Sequence, residues 1–209
     1  MLISKDGLKF LELPEGAKIG TSSLRRKAQI LNYRPDFKIV PLRGNLDTRI
    51  KKLETEKLDG IILAAAGVIR MGWADKICQY ISPDIILPAI GQGSLGIEIR
   101  KEDEELKKIL NFLNHKDTYY AVTAERSFLK RIEGGCQIPV AAYGYLNDGK
   151  LFLRGMIASI DGKVVYRSQK VGSPLDAENM GVELGETLLN ICLLYTSDAA
   201  DELDGVDLG

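Results

Sequence analysis

Four arginines stand where a ligand could meet them: Arg25 and Arg26 in GTSSLRR, Arg43 in PLRGN and Arg49 in LDTRI. Arginine holds a carboxylate or phosphate through two parallel hydrogen bonds, which lysine cannot match. Arg25 and Arg26 fall in the first turn of a predicted helix. There the free N–H groups and the positive dipole end disfavour cations and suit anions. An anionic counterpart would resolve that conflict, and a compact polyanion suits converging arginines. A solvated basic face with incidental salt bridges accounts for the same residues, and spacing alone does not decide. A second candidate lies in GGCQIP, where Cys136 follows two glycines. Glycines suit a tight, accessible turn, and Arg126, Lys130 and Arg131 in the preceding predicted helix would favour the thiolate. The competing reading is a small buried hydrophobe. The one histidine, His115, is a helix away, so cysteine-protease chemistry is not indicated.

These residues need a scaffold, and the pattern supplies one. AKIGTSS reads as a strand and turn, followed by a helix over 24–32 with Ser22 or Ser23 as its N-cap and Pro35 after its end. FKIVPLRGN is a second strand, LDTRIKKLETEKL a helix, DGIILAAAG a buried strand and VIRMGWADKICQYI a further helix. Strands alternating with helices of this length predict parallel βαβ units in an α/β layer sandwich. In such a sheet the strand carboxyl ends gather at one edge, where ligands bind. Beyond Pro88 the texture changes. GSLGIEIRKED is strand-like, EELKKILNFL and DTYYAVTAERSFLKRI are helical, and three strands follow, turned at Asn147-Asp148-Gly149 and Asp161-Gly162. DAENMGVELGETLLNI closes the pattern as a helix over one face of that sheet. The second region is thus a small α+β domain with a three-stranded antiparallel sheet.

Composition bounds the function classes. The 209 residues are 45% hydrophobic and 27% charged, ordinary for a globular protein with a real core. No stretch approaches the roughly 18 apolar residues of a membrane span. Three widely spaced cysteines, Cys78, Cys136 and Cys192, indicate a reducing cytoplasm rather than a disulfide framework. With one histidine and neither CxxC nor HxxxH, no metal site is expected. From Lys18 to Lys52 there are ten basic residues against two acidic ones, yet only Tyr33 and Phe37 are aromatic, which argues against nucleic acid. GQGSLG, Gly91–Gly96, matches G-x-G-x-x-G literally but is followed by the strand-like IEIR; it reads as a crossing between domains rather than a dinucleotide fingerprint.

The end of the chain is of another kind. CLLYTSDAADE, Cys192–Glu202, resembles the translation of a transposon-based sequencing adapter, and GVDLG resembles its continuation. A disordered acidic tail is the alternative. Either reading places 192–209 outside the fold.

Six segments occur in order: GTSSLRR, LRGNLDTRI, ILAAAG, LPAIGQGSLGIEIR, TAERSFLKRIEGGCQIPVAAY and DAENMG. Together they resemble the porphobilinogen deaminase family of tetrapyrrole biosynthesis, from about Leu2 to Ile191. The resemblance implies a cytoplasmic, monomeric hydroxymethylbilane synthase without nucleic-acid or membrane partners. Four porphobilinogens are joined head to tail, each losing ammonia, and water releases the linear product, hydroxymethylbilane. It implies a dipyrromethane cofactor linked covalently to Cys136. Ser23, Arg25, Arg26, Arg43 and Arg49 would bind cofactor and substrate side chains, Arg70 would serve chain elongation, and Gln92 would lie in the crossing near the pocket. Each porphobilinogen bears an acetate and a propionate, so the growing chain is the polyanion that the arginines call for.

The same resemblance implies a departure. The family's first domain places about a hundred residues before GTSSLRR and supplies the catalytic aspartate; some twenty precede it here. The expectation is an N-terminally truncated member with no catalytic aspartate, inactive alone. Residues 1–90 would form the periplasmic-binding-protein-like domain 2, 91–113 an orphan remnant of domain 1 with an exposed apolar face, and 114–191 domain 3. The alternative is a non-catalytic module of the same architecture that binds a small carboxylate, with Cys136 structural.

Overall fold

The computed structural model describes residues 1–132 and 138–201, without the side chains of 193–201. Cys136 therefore lies outside the described residues. The chain divides into two units, Met1–Ile86 with Ala158–Val165, and Leu87–Ile157 with Tyr166–Gly209.

The first unit is built on four short strands, β1 (Leu2–Ser4), β2 (Lys18–Gly20), β3 (Lys38–Val40) and β4 (Gly60–Ile62), in the order β1-β4-β2-β3. β2 runs parallel to β3 and β4, with Ile19 opposite Ile39 and Gly60, while β1 is antiparallel to β4. Helices α1 (Leu24–Tyr33), α2 (Leu46–Thr55) and α3 (Ala65–Arg70) follow β2, β3 and β4. Successive strand residues point to opposite sheet faces. Accordingly Leu2, Ile19 and Ile62 join Phe10, Ile30 and Phe37 in one core, and Ile3 and Ile61 join Leu42, Leu58 and Val68 in another. Apolar runs buried on both faces are the mark of a covered parallel sheet. The expected α/β layering is present.

Two local expectations need correction here. β1 was not foreseen, since three residues carry no period; it earns its place by pairing with the buried edge of β4. The helix expected over 68–81 stops at Arg70. Gly72 has φ +75°, the left-handed conformation that ends helices, and the chain then makes one 3-10 turn and bridges back to Leu2 through Gln79.

The second unit contains α4 (Glu104–Leu110), α5 (Lys116–Ile132), β5 (Val140–Asn147), β6 (Lys150–Ala158), β7 (Val165–Gly172) and α6 (Ala177–Asp201). The sheet order is β5-β6-β7, and β5 and β6 are antiparallel with Tyr143 opposite Arg154. Asp148 and Gly149 turn this hairpin with positive φ, as their sequence predicts. Ala124, Phe128 and Ile132 of α5 and Leu184 and Leu188 of α6 share one core with Leu151 and Leu153 of β6. A fully buried Phe128 alone is worth about 2 kcal/mol of transfer free energy. The approach of α5 to β5 requires a glycine: a Cβ on Gly144 would lie 2.8 Å from the Ala121 carbonyl oxygen.

Residues 93–103, expected to be strand-like, form no strand and belong to no ladder. Leu95 is 99% and Phe112 79% exposed, the apolar surface anticipated for this stretch. Between it and α5 lies a cavity of about 580 Å³ lined by Leu95, Ile97, Leu110, Leu113, Tyr119 and Val122 among others. The last helix also departs from expectation. α6 continues through Asp201 rather than ending at Ile191, because Leu193, Leu194, Ala199 and Ala200 are strong helix formers and no glycine or proline intervenes before 201.

Candidate functional site: an arginine pocket at the carboxyl edge of the sheet

Gly20, Val40 and Ile62 end the three parallel strands β2, β3 and β4, so the segments after them meet at one sheet edge. Hydroxyls organise the first of these segments. Thr21 Oγ1 accepts from the Ser23 N–H at 3.3 Å, and Ser22 Oγ accepts from the Leu42 N–H at 2.8 Å, tying the β2 end to the β3 end. Ser23 caps α1, its Oγ accepting from the Arg26 N–H at 3.4 Å. Asn45 caps α2, its Oδ1 accepting from both the N–H and the hydroxyl of Thr48 at 2.8 Å. The caps fix where each helix starts, and so where the arginines of its first turn stand.

Arg26 donates from one guanidinium nitrogen to the Ile62 carbonyl at 2.9 Å, and Arg49 donates from Nε to the Gly44 carbonyl at 2.8 Å. Both bonds use neutral acceptors, so neither cation is neutralised by them. A cavity of about 250 Å³ is lined by Thr21, Ser22, Ser23, Arg26, Leu42, Arg49 and Ile62. Two cations and three hydroxyls face it, and its lining holds no carboxylate.

Arg25, beside Arg26 at the start of α1, carries the sharpest anomaly. Its Nε is buried with no hydrogen-bond partner among the described residues. Burial, then the charge of Arg26, lowers its pKa to about 10. Arg26 is lowered too, by burial and then by Arg49. Three like charges thus press on one another in a partly dehydrated place, where an unsatisfied polar group costs roughly 1–3 kcal/mol. An anion with several oxygens would relieve both costs.

Of the residues picked out in the sequence, Ser23, Arg26 and Arg49 line the cavity, and Arg25 adjoins it electrostatically. Arg43 and Arg70 are exposed and outside the lining. Gln92 is exposed in the second unit, its N–H donating to the Ala89 carbonyl at 3.2 Å. Cys136 is beyond what the structure describes. Sequence reasoning missed Thr21 and Ser22 as pocket hydroxyls, although the Thr-Ser-Ser turn at a strand end was the available signal. It also missed Glu125, a carboxylate within the apolar stripe of α5.

Comparison with known proteins gives these features a context. Residues 1–108 match the family model "Porphobilinogen deaminase, dipyromethane cofactor binding domain", and residues 119–190 match "Porphobilinogen deaminase, C-terminal domain". Porphobilinogen deaminase of Carboxydothermus hydrogenoformans is 54% identical over 189 residues, covering 90% of this chain and 61% of that protein. The enzyme of Geotalea daltonii is 55% identical over 183 residues, covering 88% and 58% respectively. That of Desulforamulus reducens is 51% identical over 188 residues, covering 90% and 61%. The chain therefore spans about three fifths of the length of these curated relatives. The match of residues 1–108 to the first model covers more than half of its 209 residues, and the arginine pocket falls inside that match; the chain belongs to the porphobilinogen deaminase family.

Proposed function

We propose that this chain carries the carboxylate-binding and cofactor-bearing parts of a porphobilinogen deaminase (hydroxymethylbilane synthase). Its domains in this reading are 1–90 for the arginine pocket, 91–113 for the crossover and a remnant of domain 1, and 114–191 for the domain bearing Cys136. The single observation behind it is the buried Nε of Arg25, without a partner among the described residues, beside the pocket of Arg26 and Arg49, whose described lining holds no carboxylate. That donor set fits a dipyrromethane, whose pyrroles bear acetate and propionate groups, and fits porphobilinogen for the same reason.

In this reading Arg25, Arg26 and Arg49, with Ser23, hold carboxylates of the cofactor and substrate, the hydroxyl of Ser22 keeps the β2 and β3 ends at the spacing the carboxylates need, and that of Thr21 shapes the turn. Arg43, after the carboxyl end of β3, and Arg70, in the last turn of α3, would hold carboxylates of later units, and Gln92 would sit at the crossing. Cys136 would carry the dipyrromethane through its sulfur. When bound, that group supplies the primer to which porphobilinogen units are joined head to tail with loss of ammonia. The arginines act by binding and orientation, so that reacting carbons meet in register, and by offsetting the accumulating negative charge. No aspartate of this chain is given the catalytic role, and we infer that the 209 residues alone do not turn over porphobilinogen. The protein would work in the cytoplasm as a monomer on a small molecule, without nucleic-acid or membrane partners; among the described residues no helix is long and apolar enough to cross a membrane.

The test is intact-protein mass spectrometry after exposure to porphobilinogen. It would use the 209-residue chain and the same chain joined to the part of the Carboxydothermus relative that it does not span. Two linked pyrroles on the joined protein, absent from its Cys136→Ser variant, are the expected result. A folded joined protein that gains no mass would overturn the reading and favour a carboxylate-binding module with a structural cysteine.

A further inference from the structure

Glu125 is 6% exposed, in the middle of α5 and on the stripe of Ala121, Ala124, Phe128 and Ile132 that enters the core of the second unit. A leucine would fill that stripe without the expense of burying a carboxylate. The two oxygens are engaged separately. Oε1 accepts from the Gly144 N–H at 2.8 Å and Oε2 from the Gly91 N–H at 2.6 Å. Gly144 belongs to β5, and Gly91 precedes Gln92 in the turn where the Gln92 N–H returns to the Ala89 carbonyl. One side chain therefore ties a helix, a strand and a turn that lie far apart in the chain.

Connectivity gives this tie its meaning. α5 ends at Ile132 and β5 begins at Val140, so in sequence Cys136 falls between the two elements that Oε1 joins. We infer that Glu125 is a positioning residue, whose two oxygens hold the turn of Gln92 and the two anchors of the Cys136 connection in one arrangement. The functional weight of this inference rests on the deaminase reading; the clamp itself does not.

The surroundings are suited to a clamp. Burial raises the pKa of Glu125, opposed first by the Gly144 and Gly91 N–H groups and then by Arg126 of its own helix. Neither β5 nor residues 87–97 contain a charged side chain. On α6, packed against the same helix, Glu183 pairs with Lys170 and Glu186 with Arg131. The ionised form offers an acceptor to each amide. Glutamine has the same shape but a single acceptor oxygen, and its NH2 group would face an N–H. E125Q should therefore lose one arm of the clamp while keeping the volume.

Two measurements test this on the 209-residue chain. In an isotope-labelled sample, the amide protons of Gly91 and Gly144 and the side-chain carboxyl of Glu125 should share one midpoint in an NMR titration from about pH 4 to 8, above the ordinary glutamate value. Amides that titrate separately, or not at all, would overturn the clamp. The second measurement is the rate of iodoacetamide alkylation of Cys136 relative to Cys78, read by peptide mass. In E125Q this ratio should rise about tenfold at pH 7, the scale set by one lost buried hydrogen bond. An unchanged ratio in a folded E125Q would overturn the positioning role. If the shared titration is seen but pyrrole never appears on Cys136, the clamp stands and the deaminase reading fails; the reverse removes the clamp alone.

Discussion

Arg25 and Glu125 are both charged groups withdrawn from water, one at the sheet edge of the first unit and one in the core of the second. Glu125 has each oxygen matched to a backbone N–H. Arg25 has a buried Nε with no partner among the described residues, and a like-charged neighbour. A buried charge with its partners supplied holds structure together; one left without them among the described residues marks where another molecule supplies them. The contrast separates a clamp from a binding site without appeal to any motif.

Removing the satisfied charge should do the most damage. E125A strands the Gly91 and Gly144 donors and should cost roughly 3 kcal/mol in urea unfolding, at about 1–3 kcal/mol for each buried group left unpaired. A loss below about 0.5 kcal/mol would end the contrast. The pH dependence sharpens it. Because burial raises the folded pKa of Glu125, the folded state holds the proton more tightly than the unfolded chain. Its contribution to stability is then greatest below the unfolded value and declines as pH rises through the folded one. E125Q should lack that decline in unfolding curves taken across the same range.

Next in size is G144A, whose new Cβ would meet the Ala121 carbonyl oxygen at 2.8 Å. We expect a loss of about 2 kcal/mol by the same assay, together with weakened protection of the Gly144 amide. The unsatisfied charge should behave in the opposite sense. R25M should raise the stability of the ligand-free chain by about 1 kcal/mol, as relief of a strained functional site does, while removing any rise in Tm given by porphobilinogen. If R25M destabilises the free chain, Arg25 is structural and the comparison fails.

The smallest effect concerns a pair near the surface. Arg34 Nε meets Asp36 Oδ1 at 2.7 Å and, helped by the Gly16 N–H, holds the Asp36 carboxyl down at about 2. A carboxylate depressed in the fold stabilises above its unfolded value, and that stability disappears as pH falls through about 2. R34A should return the Asp36 midpoint toward the ordinary aspartate value in a side-chain NMR titration, with little change in stability at pH 7.

The sequence was informative where period and cap chemistry coincide. Ser23 and Asn45 cap the helices that carry Arg25, Arg26 and Arg49, and capping residues before an apolar period can be recognised without coordinates. The hairpin at Asp148-Gly149 could be read for the same reason. What could not be read depends on pairings distant in the chain. β1 is three residues long and exists through β4, some sixty positions away. The helix expected over 68–81 had a plausible period, which Gly72 overrides by taking a left-handed conformation. For the pocket, residue types suggested an anion but left a solvated face equally open. Only burial distinguishes Arg25 and Arg26 from exposed Arg43 and Arg70. Glu125 went unremarked in the sequence, because its partners are glycine amides 34 and 19 positions away, which no local pattern announces.

The central claim is that the Arg25–Arg26–Arg49 site takes pyrrole carboxylates, and calorimetric titration of the 209-residue chain with porphobilinogen tests it most directly. The account predicts saturable binding that weakens with added salt, falls by about tenfold or more in R26Q through loss of a charge-assisted hydrogen bond, and persists in Cys136→Ser. Equal affinity in the wild-type chain and R26Q, or no binding by a folded wild-type chain, would contradict it.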